Sequence, residues 1–148
     1  MVIQRVTEAS VTVDTRTISR IGTGLCCLIG IEADDGPDDM DYIARKILGL
    51  RIFDDEKGVM NLDVGEAGGE ILLISQFTLL GDARKGRRPS YSRAGQPQEA
   101  REKFERFVEM IREMYAGEVL TGRFQATMDI SITNHGPVTI LLDSRKQF

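Results

Sequence analysis

The feature that most constrains the fold is the segment Leu25–Ile31, seven residues without a single polar side chain. A strand exposed on one face alternates apolar and polar residues, whereas a strand covered on both faces is apolar throughout. We therefore predict a central strand here, buried on both sides. Its adjacent cysteines, Cys26 and Cys27, would point to opposite faces of that strand, which predicts two core residues and neither a disulfide nor a metal pair.

Two helices and several further strands are predicted around this segment. Proline followed closely by acidic residues is typical of a helix N-terminus, and it predicts helices from Pro37 to about residue 49 and from Pro97 to Gly117. Because strands outnumber helices, we expect a single α+β domain over residues 1–148, with a mainly antiparallel, barrel-like sheet and both helices to one side. The other strands are predicted at 2–7, 9–13, 17–21, 51–53, 59–62, 70–79, 118–121, 123–133 and 137–142.

The charge of the chain is unevenly distributed. A net charge of −4 and a pI of about 5.1 exclude a protein that binds polyanions over its whole surface. Residues 84–93 nevertheless contain no acid and five basic residues, Arg84, Lys85, Arg87, Arg88 and Arg93. This basic loop is either a patch that binds phosphates or an ordinary solvated loop.

The sequence predicts no signal peptide, no membrane span and a loose C-terminal tail. The first residues lack the apolar region of a signal peptide, and no stretch reaches the roughly 18 apolar residues of a membrane span. We therefore expect a cytoplasmic protein. Residues 145–148 are predicted to be a loose tail.

Common catalytic side-chain sets are absent from the sequence. The chain has one histidine, His135, which excludes a metal site built on several imidazoles. No Gly-x-Ser-x-Gly elbow accompanies it for a serine hydrolase triad, so we interpret His135 as an exposed loop residue. An enzyme built on this chain would have to work with backbone groups and neutral side chains.

Neutral polar side chains occur at residues 75–78, near the end of the predicted strand 70–79. Along a continuous strand, Ser75 and Phe77 would lie on one face and Gln76 and Thr78 on the other. Gln76 offers an amide donor and acceptor, Thr78 a hydroxyl, and Phe77 a flat surface on which a base can stack. The other interpretation is a strand end whose polar groups only satisfy the backbone.

A second such segment is Asn134–Thr139, which contains a Gly-Pro step. Gly136 has no Cβ, so other groups can approach its backbone, and the following proline lowers the cost of a cis peptide to about 0.5–1 kcal/mol. A cis Gly136-Pro137 bond would direct two successive carbonyl oxygens the same way, where they could bind an ammonium group and reject one hand of a chiral centre. The alternative is a plain turn between strands 123–133 and 137–142.

Together these segments resemble the D-aminoacyl-tRNA deacylase (D-tyrosyl-tRNA deacylase) family. The resemblance extends from the first residues to about Asp143. Some members of the family have a small residue where Gln125 stands and an acid where His135 stands. The resemblance is carried by residues 2–11, Ser75-Gln76-Phe77-Thr78, Arg88-Pro89-Ser90, Gly122–Met128 and Asn134-x-Gly136-Pro137-x-Thr139.

The resemblance implies a homodimer that hydrolyses the ester joining a D-amino acid to the 3′ end of tRNA, and also mischarged glycyl-tRNA, without a metal or cofactor. It implies that the Gly136-Pro137 peptide is cis and enters the partner subunit's pocket, where main-chain oxygens contact the substrate's α-amino group and L-aminoacyl groups clash. It assigns catalysis to Gln76, Phe77 and Thr78, and substrate binding with chiral selection to Ser75, Met128, Asn134, Gly136, Pro137 and Thr139. The tRNA phosphates would be contacted by Arg84, Lys85, Arg87 and Arg88.

Two mechanisms and two classes of function fit these residues. Thr78 is the intuitive nucleophile, but the sequence offers no strong base to activate it. We therefore favour a site that holds the ester and a water molecule, with help from the terminal ribose hydroxyl and with backbone N–H groups near Phe77 and Thr78 stabilising the oxyanion. The other class is a non-catalytic RNA- or nucleotide-binding module, which would use the same basic loop and the same Phe77 surface.

Overall fold

A computed structural model describes residues 1–147, and its regular structure consists of eight strands, two helices and a short 3₁₀ turn. The helices are α1 (Pro37–Gly49) and α2 (Pro97–Met114), and the 3₁₀ turn is Phe77–Leu80. The strands are β1 (Val2–Val13), β2 (Arg16–Ile21), β3 (Gly24–Ile29), β4 (Phe53–Asp54), β5 (Met60–Leu62), β6 (Glu70–Ser75), β7 (Val119–Thr121) and β8 (Asp129–Leu141).

Both helices begin at the prolines that predicted them, so these two predictions are confirmed. At the start of α1, the backbone N–H of Gly36 donates to the carboxylate of Asp39 at 2.9 Å, which satisfies one donor that the helix itself leaves without a partner. The buried faces of the helices repeat at helical spacing and pack on the same side of the sheet. These faces contain Ala44 and Ile47 in α1, and Phe104, Phe107, Val108 and Ile111 in α2.

The main sheet is mixed: three of its five strand pairings are antiparallel, in line with the predicted majority, and two are parallel. β1 pairs antiparallel with β2, β3 and β8, whereas β6 pairs parallel with β3 and with β7. The parallel pairs arise because α1 lies between β3 and β6 and α2 lies between β6 and β7, and a helical crossover returns the chain in the same direction. The Ser19 hydroxyl in β2 donates to the Thr121 carbonyl in β7 at 2.5 Å, so the sheet curls into a nearly closed barrel.

The predicted central strand is confirmed as β3, which is buried on both faces. Leu25 and Cys27 pack in the core that contains the helices, whereas Cys26 packs in a second core on the opposite face. β6 alternates in the same way, with Ile71 and Leu73 towards the helices and Leu72 and Ile74 in the second core. Complete burial of each such aliphatic side chain contributes roughly 1.5–3 kcal/mol to stability, which makes β3 and β6 the centre of the domain.

Two breaks predicted in the long strands are wrong. β1 runs without interruption through Glu8, and β8 is one strand where two, 123–133 and 137–142, were predicted. The cause is the pairing of these strands with each other, from Val2 opposite Leu141 to Thr12 opposite Asp129. Hydrogen bonds to a continuous partner hold β8 on both sides of its Gly-Pro step.

The Gly-Pro step is accommodated as a bulge in this pairing. Gln4 lies opposite Thr139 and Val6 opposite Asn134, so β8 advances five positions (134 to 139) while β1 advances two (4 to 6). Four residues of β8, 135–138, therefore lie opposite the single residue Arg5 of β1, three more than regular pairing would place there, which makes a wide bulge.

The prediction of a loose C-terminal tail is wrong at Arg145. Its guanidinium binds both carboxylate oxygens of Asp34, at 2.7 and 3.0 Å, and contacts Asp35 at 3.3 Å. Phe148, the other end of that predicted tail, lies outside the described residues. Within residues 1–147, no helix combines the length and the apolar character that crossing a lipid bilayer requires.

Candidate active site

The polar segment that follows β6 forms a turn, which corrects the prediction of a strand continuing to residue 79. The N–H of Gln76 makes the last bond to β3, to the Ile29 carbonyl at 2.7 Å, and the N–H of Leu79 then bonds back to the Gln76 carbonyl at 3.2 Å. β6 ends here because β3 also ends at Ile29. The predicted alternation of faces from Ser75 to Thr78 is therefore wrong, since a 3₁₀ turn follows a period of three residues.

The beginning of this turn presents backbone donors and a neutral side-chain pair. The first N–H groups of a helical turn, here those of Phe77 and Thr78, have no partner within the turn. The side-chain amide of Gln76 donates to the hydroxyl of Thr78. An amide is not a base, so this contact orients the hydroxyl without activating it as a nucleophile.

A cavity of about 610 Å³ lies beside the turn. Four residues that the sequence predicted for the site line it together, namely Ser75, Gln76, Phe77 and Met128. They come from β6 with its turn and from the loop before β8, about fifty residues apart in the chain, and the folding of the sheet brings them together. Thr78 lies next to them through its contact with Gln76.

Close packing fixes the position of Met128 in this wall. A Cβ on Gly122 would lie 2.8 Å from the Met128 sulfur, so only glycine fits without displacement. The N–H of Arg123 lies 3.3 Å from the same sulfur. The Arg101 guanidinium lies 5.3 Å from the ring centre of Phe124, another cavity residue, in the geometry of a cation–π contact.

Sequence reasoning missed the other half of the cavity wall. Its small residues lie at the approach to α2 and in its first turn, and most of its remaining residues lie in the loop before β8. The only sequence signal was indirect, because the loop was noted as part of the resemblance, whereas alanine and glycine near a helix start have no distinctive pattern. The missed residues are Ala94, Gly95, Pro97, Ala100 and Phe124–Thr127, together with Ile31 after β3 and Ile130 in β8.

The phenyl ring of Phe77 is exposed to solvent. Its side chain is 56% exposed. Among residues 1–147 its aromatic neighbour is Tyr91, whose ring centre lies 5.2 Å away with an interplanar angle of 66°. This edge-to-face contact supports the ring from one side. The remaining surface of Phe77 is open for a flat ligand at the mouth of the cavity.

The Gly136-Pro137 peptide is cis and lies on the exposed bulge of β8. The buried guanidinium of Arg5 holds this bulge, since Nε donates to the His135 carbonyl at 3.0 Å. A second nitrogen of Arg5 bonds the Ile52 carbonyl at 2.6 Å and the Asp54 carboxylate at 3.2 Å. The bulge is thereby tied to β1 and to the chain around β4.

Gly136 itself cannot be replaced without displacement of its neighbours. Its φ of +120° lies in the region that side chains disfavour. A Cβ would also lie 2.9 Å from Cγ2 of Val138 and 3.0 Å from Nη2 of Arg5. Next to the bulge, the Thr139 hydroxyl donates to the Gln4 side-chain oxygen at 2.5 Å, which ties the strand to β1 again.

The structure does not bring the two predicted halves of the site together within one chain. None of the motif residues of β8 lines the cavity formed by residues 1–147. His135 is exposed, as predicted, but it belongs to the bulged strand and not to a loop. The β8 motif residues are Asn134, Gly136, Pro137 and Thr139, all of them exposed.

The predicted basic loop leaves the 3₁₀ turn and returns towards α2. Its base is closed by two backbone bonds between Asp82 and Ser90, at 2.8 and 2.9 Å. Arg84 folds back on Asp82 with contacts of 2.6 and 2.9 Å, and this hydrogen-bonded pair holds the pKa of the Asp82 carboxyl well below its usual range. The side chains of Lys85, Arg87 and Arg88 are exposed on the loop.

The two cysteines are core residues without nucleophilic character. Both are free and fully buried. Burial raises the pKa of the Cys26 thiol to about 12 and raises that of Cys27 as well. A buried thiol with a raised pKa is a poor nucleophile at neutral pH, so both cysteines serve as core residues.

Comparison with known proteins supports a single family. A family model described as D-Tyr-tRNA(Tyr) deacylase matches residues 2–143. A D-aminoacyl-tRNA deacylase from Kosmotoga olearia is 56% identical over 147 residues, which cover 99% of this chain and 98% of that protein.

Two solved structures share the fold. A c-Myc DNA unwinding element binding protein aligns with a TM-score of 0.91 and 42% identity over 96% of both chains. A probable eukaryotic D-amino acid tRNA deacylase aligns with a TM-score of 0.73 and 19% identity, over 94% of this chain and 95% of that one. The match over nearly the whole chain and the high identity to a named relative lead to one conclusion: the chain belongs to the D-Tyr-tRNA(Tyr) deacylase family of hydrolases.

Proposed function

We propose that this protein is a D-aminoacyl-tRNA deacylase, which hydrolyses the ester between a D-amino acid and the 3′ end of tRNA. The observation that carries the proposal is the 3₁₀ turn that begins at Phe77, beside a cavity lined by Gln76 and Phe77, in a chain of this family. Backbone donors at the start of such a turn stabilise the oxyanion that develops when an ester carbonyl is attacked.

The proposed reaction uses water as the nucleophile. The water oxygen attacks the ester carbonyl carbon, the carbonyl oxygen becomes an oxyanion at the N–H groups of Phe77 and Thr78, and the bond to the ribose oxygen then breaks. The ribose oxygen takes up a proton, and the products are the free D-amino acid and tRNA. Gln76 orients the substrate or water, and the neighbouring hydroxyl of the terminal ribose assists the proton transfer, since Thr78 has only an amide beside it.

Chiral selection is proposed to come from the Gly136-Pro137 bulge. Its main-chain oxygens bind the α-ammonium group of the substrate, while an L side chain would be forced against the backbone. Glycine has no side chain to clash, so glycyl-tRNA is also expected to be hydrolysed. Asn134 and Thr139 hold the bulge, and Ser75 and Met128 shape the cavity that receives the aminoacyl end.

The arrangement requires a homodimer in which each bulge enters the cavity of the other subunit. Two observations and one argument from symmetry support this proposal. The bulge residues are exposed and lie apart from the cavity of their own chain. β8 pairs with β1 along one edge, and its side chain at Leu141 is 57% exposed. A twofold axis would give both subunits a complete site at once.

The tRNA is proposed to lie across the basic loop. Lys85, Arg87 and Arg88 contact phosphates of the acceptor end, with a smaller contribution from Arg84 because it is paired with Asp82. Phe77 packs against the terminal adenosine. An aminoacyl-tRNA substrate is consistent with the cytoplasmic location predicted from the sequence.

The deciding experiment measures ester loss from D-tyrosyl-tRNA, L-tyrosyl-tRNA and glycyl-tRNA with the purified protein. We expect hydrolysis of the D-tyrosyl and glycyl esters, with the D-tyrosyl ester cleaved at least about 100-fold faster than the L-tyrosyl ester. Equal rates with both hands of tyrosine would overturn the chiral selection. Binding of all three substrates without ester loss would overturn the proposed activity and favour a binding module.

A further inference from the structure

One wall of the cavity is held by a short backbone ladder outside the main sheet. After β3, the N–H of Ala33 donates to the Arg93 carbonyl at 3.2 Å, and the N–H of Gly95 donates to the Ile31 carbonyl at 3.1 Å. Glu32 and Ala94 lie opposite each other between these bonds. Because Ile31, Ala94 and Gly95 line the cavity, the position of this ladder sets the shape of that wall.

An ion pair between Glu32 and Arg93 also joins the two segments of this ladder. One carboxylate oxygen of Glu32 bonds the Arg93 guanidinium, and the other lies 3.6 Å from a nitrogen of Arg145. The Glu32 side chain is only 15% exposed. Low exposure reduces screening by water, so this carboxylate attracts both guanidinium groups more strongly than a surface acid would.

Glu32 is itself fixed in place by its surroundings. Its backbone N–H donates to the Asp35 carboxylate at 2.8 Å. Arg145, the residue that the sequence predicted in a loose tail, binds Asp34 through two nitrogens and contacts Asp35. Because Glu32 is held by its backbone bond to Asp35 and by Arg145, its carboxylate can restrain Arg93, which otherwise ends a long exposed loop.

We propose that Glu32 is a positioning residue for the deacylase: through Arg93 it fixes the Ala94–Gly95 wall of the cavity and the end of the basic loop. This inference rests on the proposed function. Glu32 does not line the cavity, and it acts on the substrate only through Arg93 and the wall.

A purely electrostatic role for Glu32 predicts the opposite change in substrate binding, so an experiment can distinguish that role from positioning. Removal of a negative charge close to a bound polyanion would tighten the binding of tRNA. If Glu32 positions the wall, the neutral variant Glu32→Gln binds the substrate more weakly, although the protein has become less negative. The sign of the change in KM therefore separates positioning from simple electrostatics.

The test compares kinetic constants on D-tyrosyl-tRNA for the wild type, Glu32→Gln, Arg93→Gln and the double variant. We expect each single variant to raise KM about tenfold with kcat within about threefold, because the turn at Gln76 is not displaced. The double variant should be no worse than the poorer single one, since both remove the same contact. The control, Asp34→Asn, removes an equal charge that contacts Arg145 and not Arg93, and its KM should stay level or fall.

A second measurement does not depend on catalysis. The loop between residues 84 and 87 contains trypsin sites, and we expect trypsin to cut it about fivefold faster in Glu32→Gln than in the wild type under native conditions. Both proteins are assayed well below their unfolding midpoints, and Glu32→Asp, which keeps the charge, should restore most of the wild-type KM. If the wild type lacks deacylase activity, the proposed function fails, while the cleavage rates still test the restraint on the loop.

Three results would overturn the inference. The first is a KM for Glu32→Gln at or below the wild-type value. The second is a double variant whose loss equals the product of the two single losses, which would make Glu32 and Arg93 independent. The third is an unchanged rate of trypsin cleavage.

Discussion

The turn after β6 and the Gly136-Pro137 bulge of β8 are the two regions of the proposed site, and they differ in their position relative to the cavity. The turn stands beside a cavity that its own chain builds, with Met128 opposite Ser75, Gln76 and Phe77. The bulge is exposed, and none of its residues lines that cavity within residues 1–147. The turn therefore adjoins a cavity within a single chain, whereas the bulge reaches such a cavity only in the proposed homodimer.

The two regions also offer opposite polarity. The turn begins with N–H groups, which are hydrogen-bond donors suited to a developing oxyanion. In the proposed site, the bulge contributes carbonyl oxygens, which are acceptors suited to an ammonium group. An aminoacyl ester carries both features a few bonds apart, so a site that joins donors from one subunit to acceptors from another can recognise it without a charged side chain.

The largest expected effect comes from Gly136→Ala. The added methyl group would meet Val138 and Arg5 at a backbone conformation that alanine disfavours, so the bulge must move. We expect kcat/KM on D-tyrosyl-tRNA to fall about 100-fold or more, as it does when a positioning group shifts by about 1 Å. Gly49→Ala is the matched control, because a Cβ there meets nothing within 4 Å and should leave activity unchanged. Wild-type activity in Gly136→Ala would show that the bulge is not part of the active site.

A mixed dimer tests whether the two regions meet between subunits. Gly136→Ala and Gln76→Ala chains carrying different tags are co-expressed, and the heterodimer is purified through both tags. If each site takes its bulge from one chain and its turn from the other, one of two sites is unaltered, and we expect about half of the wild-type activity. Activity no higher than that of the mutant homodimers would mean that both regions serve the same chain's site.

The turn itself is tested by comparing Gln76→Ala with Thr78→Ala. Loss of the Gln76 amide removes one orienting hydrogen bond, and we expect kcat/KM to fall about tenfold, equivalent to about 1.4 kcal/mol. Thr78→Ala should cost less than about threefold, because the backbone N–H of residue 78 remains. An acyl-enzyme trapped on Thr78 would show that the hydroxyl is the nucleophile.

The smallest effect is expected from the basic loop, measured as salt dependence. Replacing Lys85, Arg87 and Arg88 by glutamine should lower the slope of log KM against log salt by about 2, at roughly 0.7–0.9 per phosphate contact. Arg84→Gln is the control within the same loop. It is already paired with Asp82, so its effect on the slope should stay below about 0.5. An unchanged slope in the triple variant would show that the loop is a solvated surface that does not contact the tRNA phosphates.

Local sequence signals predicted some elements well and others poorly. The run at residues 25–31 predicted β3 because burial on both faces leaves a direct trace in composition. Pro37 and Pro97 predicted the helix starts because N-terminal preferences depend only on nearby residues. The turn at residues 77–80 was missed, because β6 stops where its neighbour β3 stops and the strand's own residues favour continuation.

In the candidate site, too, some residues could be predicted from the sequence and others could not. The residues proposed for the turn and for the β8 bulge could be selected from the sequence, since their side chains and the Gly-Pro step are visible there. Ala94, Gly95 and Ala100 were not, because small apolar residues become a cavity wall only when a ladder at Glu32 and a helix place them there.

The sequence by itself determined which segments form the buried strand and the helices, and which residues carry usable donors and acceptors. These properties depend on side-chain chemistry and on neighbours a few positions away. The tertiary structure alone decided that Met128 would line one cavity with Ser75 and Gln76, and that the Gly136-Pro137 bulge would not line it. Proximity between distant residues follows from strand pairing and core packing, which no local pattern specifies.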